Sequence, residues 1–275
     1  MLAFADIIIT SIAIVWLSIA CFTDIKKREV PDWISFSLIA IAMSTKLLAS
    51  IFTSHYSYFF HSLVGLSIFI LLGFAFYYAQ IFGGGDAKIL MALGACFSPA
   101  PFFVKNDFPF LLNFFTNMLL IGSAYGIIYS FFLALQNKKK FCFYYKKIKE
   151  KKIFYFVISG VSFFLSFFLG TYFLLVSILF ILLPYLLSFL RAAEKLMIKQ
   201  KSWKDLSEGD WLVKEIRIGK KKIKPNVHGI TKEDIELIRK AKKKVLIKEG
   251  LPFIPAIFLS LILTIIFGNL FFLFF

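Results

Sequence analysis

Apolar runs of about twenty residues recur along this chain, and no other feature restricts its fold so strongly. They cover residues 3–22, 34–53, 58–81, 88–104, 110–135, 153–170, 171–190 and 252–274. Such a segment satisfies its backbone polar groups by forming a helix, and about 20 residues of helix cross a hydrocarbon core of about 30 Å. With 59% hydrophobic residues, the chain is more apolar than ordinary globular domains. The expected fold is an all-α polytopic membrane protein with about eight transmembrane helices.

Residues 153–190 require a choice. As one helix they would measure about 57 Å, far more than a bilayer demands. Gly170-Thr171 near the middle could turn a tight hairpin. Charge decides between the two arrangements. Lys26-Lys27-Arg28 after the first run marks an inner loop, so alternation places residues 82–87 and the Lys-rich loop 137–152 inside as well. One span at 153–190 would export the Lys- and Arg-rich stretch 191–250, whereas two keep it inside. The opposite face agrees, because Thr53-Ser54-His55-Tyr56-Ser57 carries no Lys or Arg and loop 104–109 sets Lys105 against Asp107. Both termini are expected outside. Residues 3–22 lack a basic lead-in, contain Asp6 and precede three cations, which suits a retained span rather than a cleaved signal.

The division that follows is a membrane domain over 1–190, a cytoplasmic soluble domain over 191–250 and a last transmembrane helix over 251–275. Within 191–250, Thr231-Lys232-Glu233-Asp234 reads as a capping box opening a helix that runs to about Lys248. Residues 211–218 are compatible with a short strand, and Gly219 to Lys224 with a turn into another. The net charge of +16 lies mostly in loops. It is therefore read as orienting charge that holds anionic membrane lipids, and no nucleic-acid partner is expected.

Two aspartates sit at inner ends of the runs. Asp24 follows Cys21-Phe22-Thr23 at the end of the first. Asp86 follows Phe82-Gly83-Gly84-Gly85 at the head of the fourth. A carboxylate at the bilayer edge is costly to desolvate, and two close ones share a proton, which suits general acid–base chemistry. The three glycines are poor helix interior but permit positive φ and close approach of another chain. A helix start should favour the ionised form of Asp86. Asp32, between Pro31 and Trp33, reads as a helix cap. No metal or cofactor is expected, since His55, His61 and His228 are scattered and Cys21, Cys96 and Cys142 lack ligand spacing.

Asp24 with Pro31-Asp32, combined with Gly83-Gly84-Gly85-Asp86-Ala87-Lys88, resembles the type IV prepilin peptidase family, which includes archaeal preflagellin peptidases. These are membrane aspartyl proteases of the GxGD type. The stretches Gly229-Ile230-Thr231 and Glu249-Gly250-Leu251-Pro252-Phe253-Ile254-Pro255-Ala256 also look like archaeal members. The resemblance implies a catalytic dyad of Asp24 and Asp86, and substrates that are pilin-like or archaellin precursors cut after a short basic leader at the cytoplasmic face of the plasma membrane. Gly83, Gly84, Gly85 and Lys88 are then candidate substrate-binding or supporting residues. Glu29 and Asp32 are candidate acids for the leader, with Glu208 and Asp210 next.

The chain departs from the family pattern in having Gln80 three positions before the GxGD motif, where a further glycine is usual. It also lacks the cysteine-rich domain of the bacterial enzymes, so methyl transfer is not implied. Two alternatives stand beside this reading. One is a presenilin-type protease, although Thr23 replaces the Tyr of the Tyr-Asp pair and neither Pro99-Ala100 nor Pro255-Ala256 is followed by Leu. The other is a proton- or cation-coupled transporter using the same two acids.

Overall fold

The computed structural model describes residues 1–104, 109–148, 152–170, 172–218, 221–226 and 229–273. In chain order the helices are α1 (Leu2–Lys27), α2 (Asp32–Thr53), α3 (Ser57–Tyr78), α4 (Gly84–Cys96), α5 (Phe110–Gln136), α6 (Lys138–Lys147), α7 (Lys152–Leu169), α8 (Tyr172–Leu196), α9 (Lys232–Lys240) and α10 (Ile254–Phe267). The strands are β1 (Ile198–Lys201), β2 (Trp211–Leu212), β3 (Ile216–Ile218), β4 (Lys221–Ile223) and β5 (Val245–Lys248). Two structural units result, Met1–Tyr125 with Gly250–Phe275, and Gly126–Glu249.

In the first unit α4 is flanked by α1, α2 and α3. Its residues Ala87, Ile89, Leu90, Ala92 and Leu93 through Cys96 are buried, and from Ile89 on it is apolar around its whole circumference, as a central helix must be. Small residues bring α3 against it. A Cβ on Gly94 would lie 2.6 Å from the Gly65 carbonyl oxygen, so only glycine permits this approach. The α1–α2 turn is short because Arg28 adopts a left-handed conformation (φ 60°) and Pro31 is fixed in an extended one. Trp16 Nε1 donates to Ser37 Oγ at 2.8 Å and closes the pair.

Each of the eight expected apolar segments holds a helix, but among the described residues only α1, α2, α3, α5 and α8 are long and apolar enough to cross a bilayer alone. The expectation of eight full spans narrows to these five, and the fold is that of a mostly helical, multi-pass membrane protein. The segment 88–104 stops being helical at Cys96, ahead of Ser98-Pro99-Ala100-Pro101, because proline cannot continue an α-helix. With 13 residues α4 is about 20 Å long. The segment 252–274 breaks at Gly268 (φ 71°). There Asn117 Nδ2 donates to the Gly268 carbonyl (2.7 Å) and to Thr264 Oγ1 (2.9 Å), while its Oδ1 accepts the N–H of Leu270.

In the second unit, residues 153–190 form two helices. Ser159 Oγ bonds to the Ser177 carbonyl and Ser162 Oγ to the Phe173 carbonyl, both at 3.0 Å, which fixes α7 and α8 as a hairpin. α8 continues to Leu196, past the expected end at 190. A three-stranded antiparallel sheet in the order β1-β5-β2 and a separate β3-β4 pair follow. Leu206, Leu212, Ile230, Ile238, Val245 and Ile247 are among the residues of their core.

Thr231 caps α9 as its sequence suggests, with Asp234 N–H to Thr231 Oγ1 and Thr231 N–H to Asp234 Oδ2. The helix expected to reach Lys248 ends at Lys240, however. Lys242 turns the chain at φ 49°, and Val245 and Ile247 then point inward on alternate positions of β5. The strand expected over 211–218 is two strands, β2 and β3, in different sheets. Lys105, Asp107, Thr171, Gly219, Lys220 and His228 lie outside the described residues.

Candidate active site

Asp24 lies in the last turn of α1 and is 6% exposed. Its Oδ2 accepts the backbone N–H of Ile254, at the start of α10, at 3.1 Å. Prolines bracket this donor: Pro252 and Pro255 have no N–H, and helix entry tolerates them. One turn beyond Asp24, the Arg28 guanidinium donates to the Gly250 carbonyl at 3.1 Å. The stretch 250–254 is thus tied to the end of α1 at two points.

Asp86 is the third residue of α4, where its Oδ2 accepts the N–H of Gly83 at 3.0 Å. Gly84 and Gly85 are the first two helical residues, and none of the three glycines has positive φ. The conformational freedom expected of them is therefore not what the fold uses. Gly85 is needed for room, since a Cβ there would stand 2.9 Å from the Val30 Cβ. The α1–α2 turn rests directly on the head of α4. Phe82, just ahead of the glycines, packs its ring 4.9 Å from Phe76 and 5.1 Å from Phe253, bringing the α10 entry to the same place.

Electrostatics follow from this packing. Burial pushes the Asp86 carboxyl up to about 7, the negative charge of Asp24 pushes in the same direction, and the Gly83 N–H opposes both. Burial and the Asp24 charge thus act against the ionised form that a helix start favours. Two carboxylates that influence each other in this way titrate as a pair, and a pair holding one proton can offer an acid and a base together.

The remaining predicted residues separate. Asp32 is the first residue of α2 rather than its cap; Pro31 occupies the cap position, and the Asp32 carboxylate pairs with Lys88 Nζ at 2.6 Å. Lys88 thereby joins α2 to α4 beside the two acids. Glu29 is exposed and, among the described residues, has no ion pair. Asp210 accepts from Lys201 Nζ (3.0 Å) and from the Ser207 N–H, and Glu208 lies 3.6 Å from Lys232. Both act within the second unit. Among the described residues, no cluster of three His, Cys, Asp or Glu side chains is arranged to hold a metal.

Sequence reasoning missed Val30, Phe253 and the Ile254 N–H, because a backbone donor and two packing side chains leave no chemical signature. It also missed Lys46, for which a signal existed: a lysine inside an apolar run. Lys46 is fully buried, and its ammonium donates to the carbonyls of Ala95 (3.1 Å), Cys96 (2.8 Å) and Ser98 (2.7 Å), closing the C-terminal end of α4. Asp6, also within a run, accepts from the Tyr58 hydroxyl and the Phe102 N–H and secures the chain beyond that end.

Residues 11–134, which include both Asp24 and Asp86, match the type IV leader peptidase family. The preflagellin peptidase of Methanococcus voltae is 33% identical over 153 residues, covering 51% of this chain and 62% of that protein. That of Methanococcus maripaludis is 29% identical over 124 residues (43% and 54%), and that of Methanocaldococcus jannaschii 33% over 79 residues (29% and 33%). The matches thus span from a third to about three-fifths of the length of these curated relatives. Over residues 11–134, which hold both acids, the chain is thus similar to the type IV leader peptidase family.

Proposed function

We propose that the chain is a membrane aspartyl endopeptidase that removes the short basic leader from archaellin or type IV pilin-like precursors at the cytoplasmic membrane face. The observation that carries this reading is the electrostatic coupling of Asp24 and Asp86, with the turn that follows α1 packed on the head of α4 through Val30 and Gly85. The names of the three relatives supply the substrate class.

In the resting site the pair holds one proton. The ionised carboxylate takes a proton from a water molecule as its oxygen bonds to the scissile carbonyl carbon. The protonated carboxyl hydrogen-bonds to the carbonyl oxygen, where negative charge develops. Collapse of the tetrahedral intermediate breaks the C–N bond, and a proton from the pair goes to the leaving nitrogen. No cofactor enters the scheme.

Placement at the inner face rests on Lys26, Lys27 and Arg28, which follow Asp24 after Ile25. Residues 191–250, with their many lysines, belong to the same side as a cytoplasmic domain. The leader is basic and the inner face is basic too, so a local acid must receive it. Glu29 fits that role, being exposed, unpaired among the described residues and five positions from Asp24. Asp32 and Asp210 are already neutralised by lysines.

Coexpression with an archaellin precursor and with a pilin-like precursor, followed by N-terminal sequencing, tests the proposal. It predicts a mature N-terminus for at least one of them. Both precursors remaining uncut beside correctly inserted protein would overturn it.

A further inference from the structure

The Lys-rich connection between α5 and α7 contains a ten-residue helix, α6, with the sequence Lys-Lys-Lys-Phe-Cys-Phe-Tyr-Tyr-Lys-Lys. At 100° per residue its aromatic residues divide between two faces. Phe141, Tyr144 and Tyr145 share one and are half-buried. The Phe141 ring packs 5.2 Å from Phe189 of α8, with Tyr145 stacked behind it at 5.9 Å. That face is occupied.

The opposite face carries Lys139, Lys140, Lys146 and Lys147, all exposed, around Phe143 at 62% exposure. Lys147 Nζ stands 5.9 Å over the Phe143 ring. Among the described residues none of the four lysines forms an ion pair, and α6 contains no acid. Four cations, unpaired among the described residues, around an exposed aromatic ring make a surface complementary to dense negative charge bordering an apolar phase.

Chain connectivity says where such a phase lies. Only Asn137 separates α6 from α5, and residues 148–151 separate it from α7. α5 is long and apolar enough to cross a bilayer, and α7 is apolar over Ile153–Phe168. A helix joined so closely to one membrane-crossing helix and one apolar helix is held at the lipid surface. We propose that α6 lies in the plane of the membrane interface and that its Lys139, Lys140, Lys146 and Lys147 face binds anionic lipid headgroups, with Phe143 inserted among the acyl chains. This inference does not depend on the protease reading, because it concerns another unit and another chemistry.

Cys142, exposed on the edge of that face, provides the probe. The full-length Cys21→Ser variant is placed in nanodiscs of phosphatidylcholine alone, or with about one-third phosphatidylglycerol, and alkylation of Cys142 by a charged aqueous maleimide is timed. Cys96 is buried and serves as the internal reference for folding. The expected result is alkylation slowed by about threefold or more in the anionic discs, with the difference shrinking at high salt. It should vanish when the four lysines become Gln and persist when they become Arg. Equal rates in the two lipids, or protection that survives the Gln substitutions, would overturn the proposal. So would protection given by soluble polyglutamate but not by phosphatidylglycerol, since the surface would then serve an acidic polypeptide.

Discussion

The backbone N–H of Ile254 donates to Oδ2 of Asp24 at 3.1 Å, across 230 positions of sequence. The entry of the last helix therefore fixes an acid at the end of the first. The same entry segment packs Phe253 against Phe82, one residue ahead of the glycines that lead to Asp86. α1, α4 and α10 meet where the chemistry is proposed.

Proton affinity comes first. Burial and the Asp24 charge raise the Asp86 carboxyl to about 7, far above the usual carboxylate range. As pH rises from that range towards about 7, the unfolded chain has already lost this proton while the folded chain keeps it. Asp86 therefore stabilises the fold least above about pH 7, and stability falls across the window below it. Thermal unfolding in detergent at pH 5 and pH 8 should show this slope, and Asp86→Asn should flatten it. Cleavage should decline above about pH 7 as the pair loses its single proton. An Asp86→Asn protein with an unchanged slope would contradict the assignment.

Adjacent glycines give opposite forecasts. A Cβ at Gly85 meets Val30 at 2.9 Å, whereas one at Gly84 has its nearest neighbour, Tyr77, at an ordinary 3.9 Å. Gly85→Ala should cost about 1–3 kcal/mol and most of the cleavage activity, because the α1–α2 turn must move off the head of α4. Gly84→Ala should be neutral or slightly stabilising, since it replaces glycine within a helix. Melting temperatures and cleavage rates of the two variants, measured side by side, check the contrast.

At the other end of α4, Lys46 satisfies three carbonyls without contact with water. Lys46→Met keeps the volume and strands those acceptors, so it should lower stability by about 3 kcal/mol. Chemical or thermal denaturation in detergent reads this directly. A loss below about 1 kcal/mol would mean that water or backbone adjustment replaces the ammonium.

The two other acids of the first loop should behave unlike Asp24. The Asp32–Lys88 pair is largely exposed, so Asp32→Asn should cost no more than about 1 kcal/mol and leave kcat nearly intact. Glu29→Lys should raise KM for a precursor with a basic leader several-fold, with little change in kcat, and the effect should weaken at high salt. Steady-state kinetics on a leader-bearing peptide separate these outcomes.

Much of this arrangement is legible in the sequence because it is local. Thr231 and Asp234 lie three residues apart, so the α9 cap could be read directly. Gly170 and the basic stretch beyond 190 were enough to separate α7 from α8. Asp24 and Asp86 were marked by their places at the ends of apolar runs. What escaped is set by distant partners. Val245-Leu246-Ile247 looks like the end of a helix until β1 and β2 are present to pair with it. The carbonyls freed at the end of α4 are met by Lys46, about fifty positions away. Ile254 contributes only its main chain, which no residue type reveals.

The central claim is that Asp24 and Asp86 act together on one peptide bond. Asp24→Asn and Asp86→Asn keep the shape of each side chain, so each should be compared with the parent for leader removal from a precursor in native membranes. Equal expression and a cooperative unfolding transition confirm that the fold is intact. The account predicts that each substitution alone lowers cleavage by at least about 100-fold. Cleavage near the parental rate in either variant would contradict it.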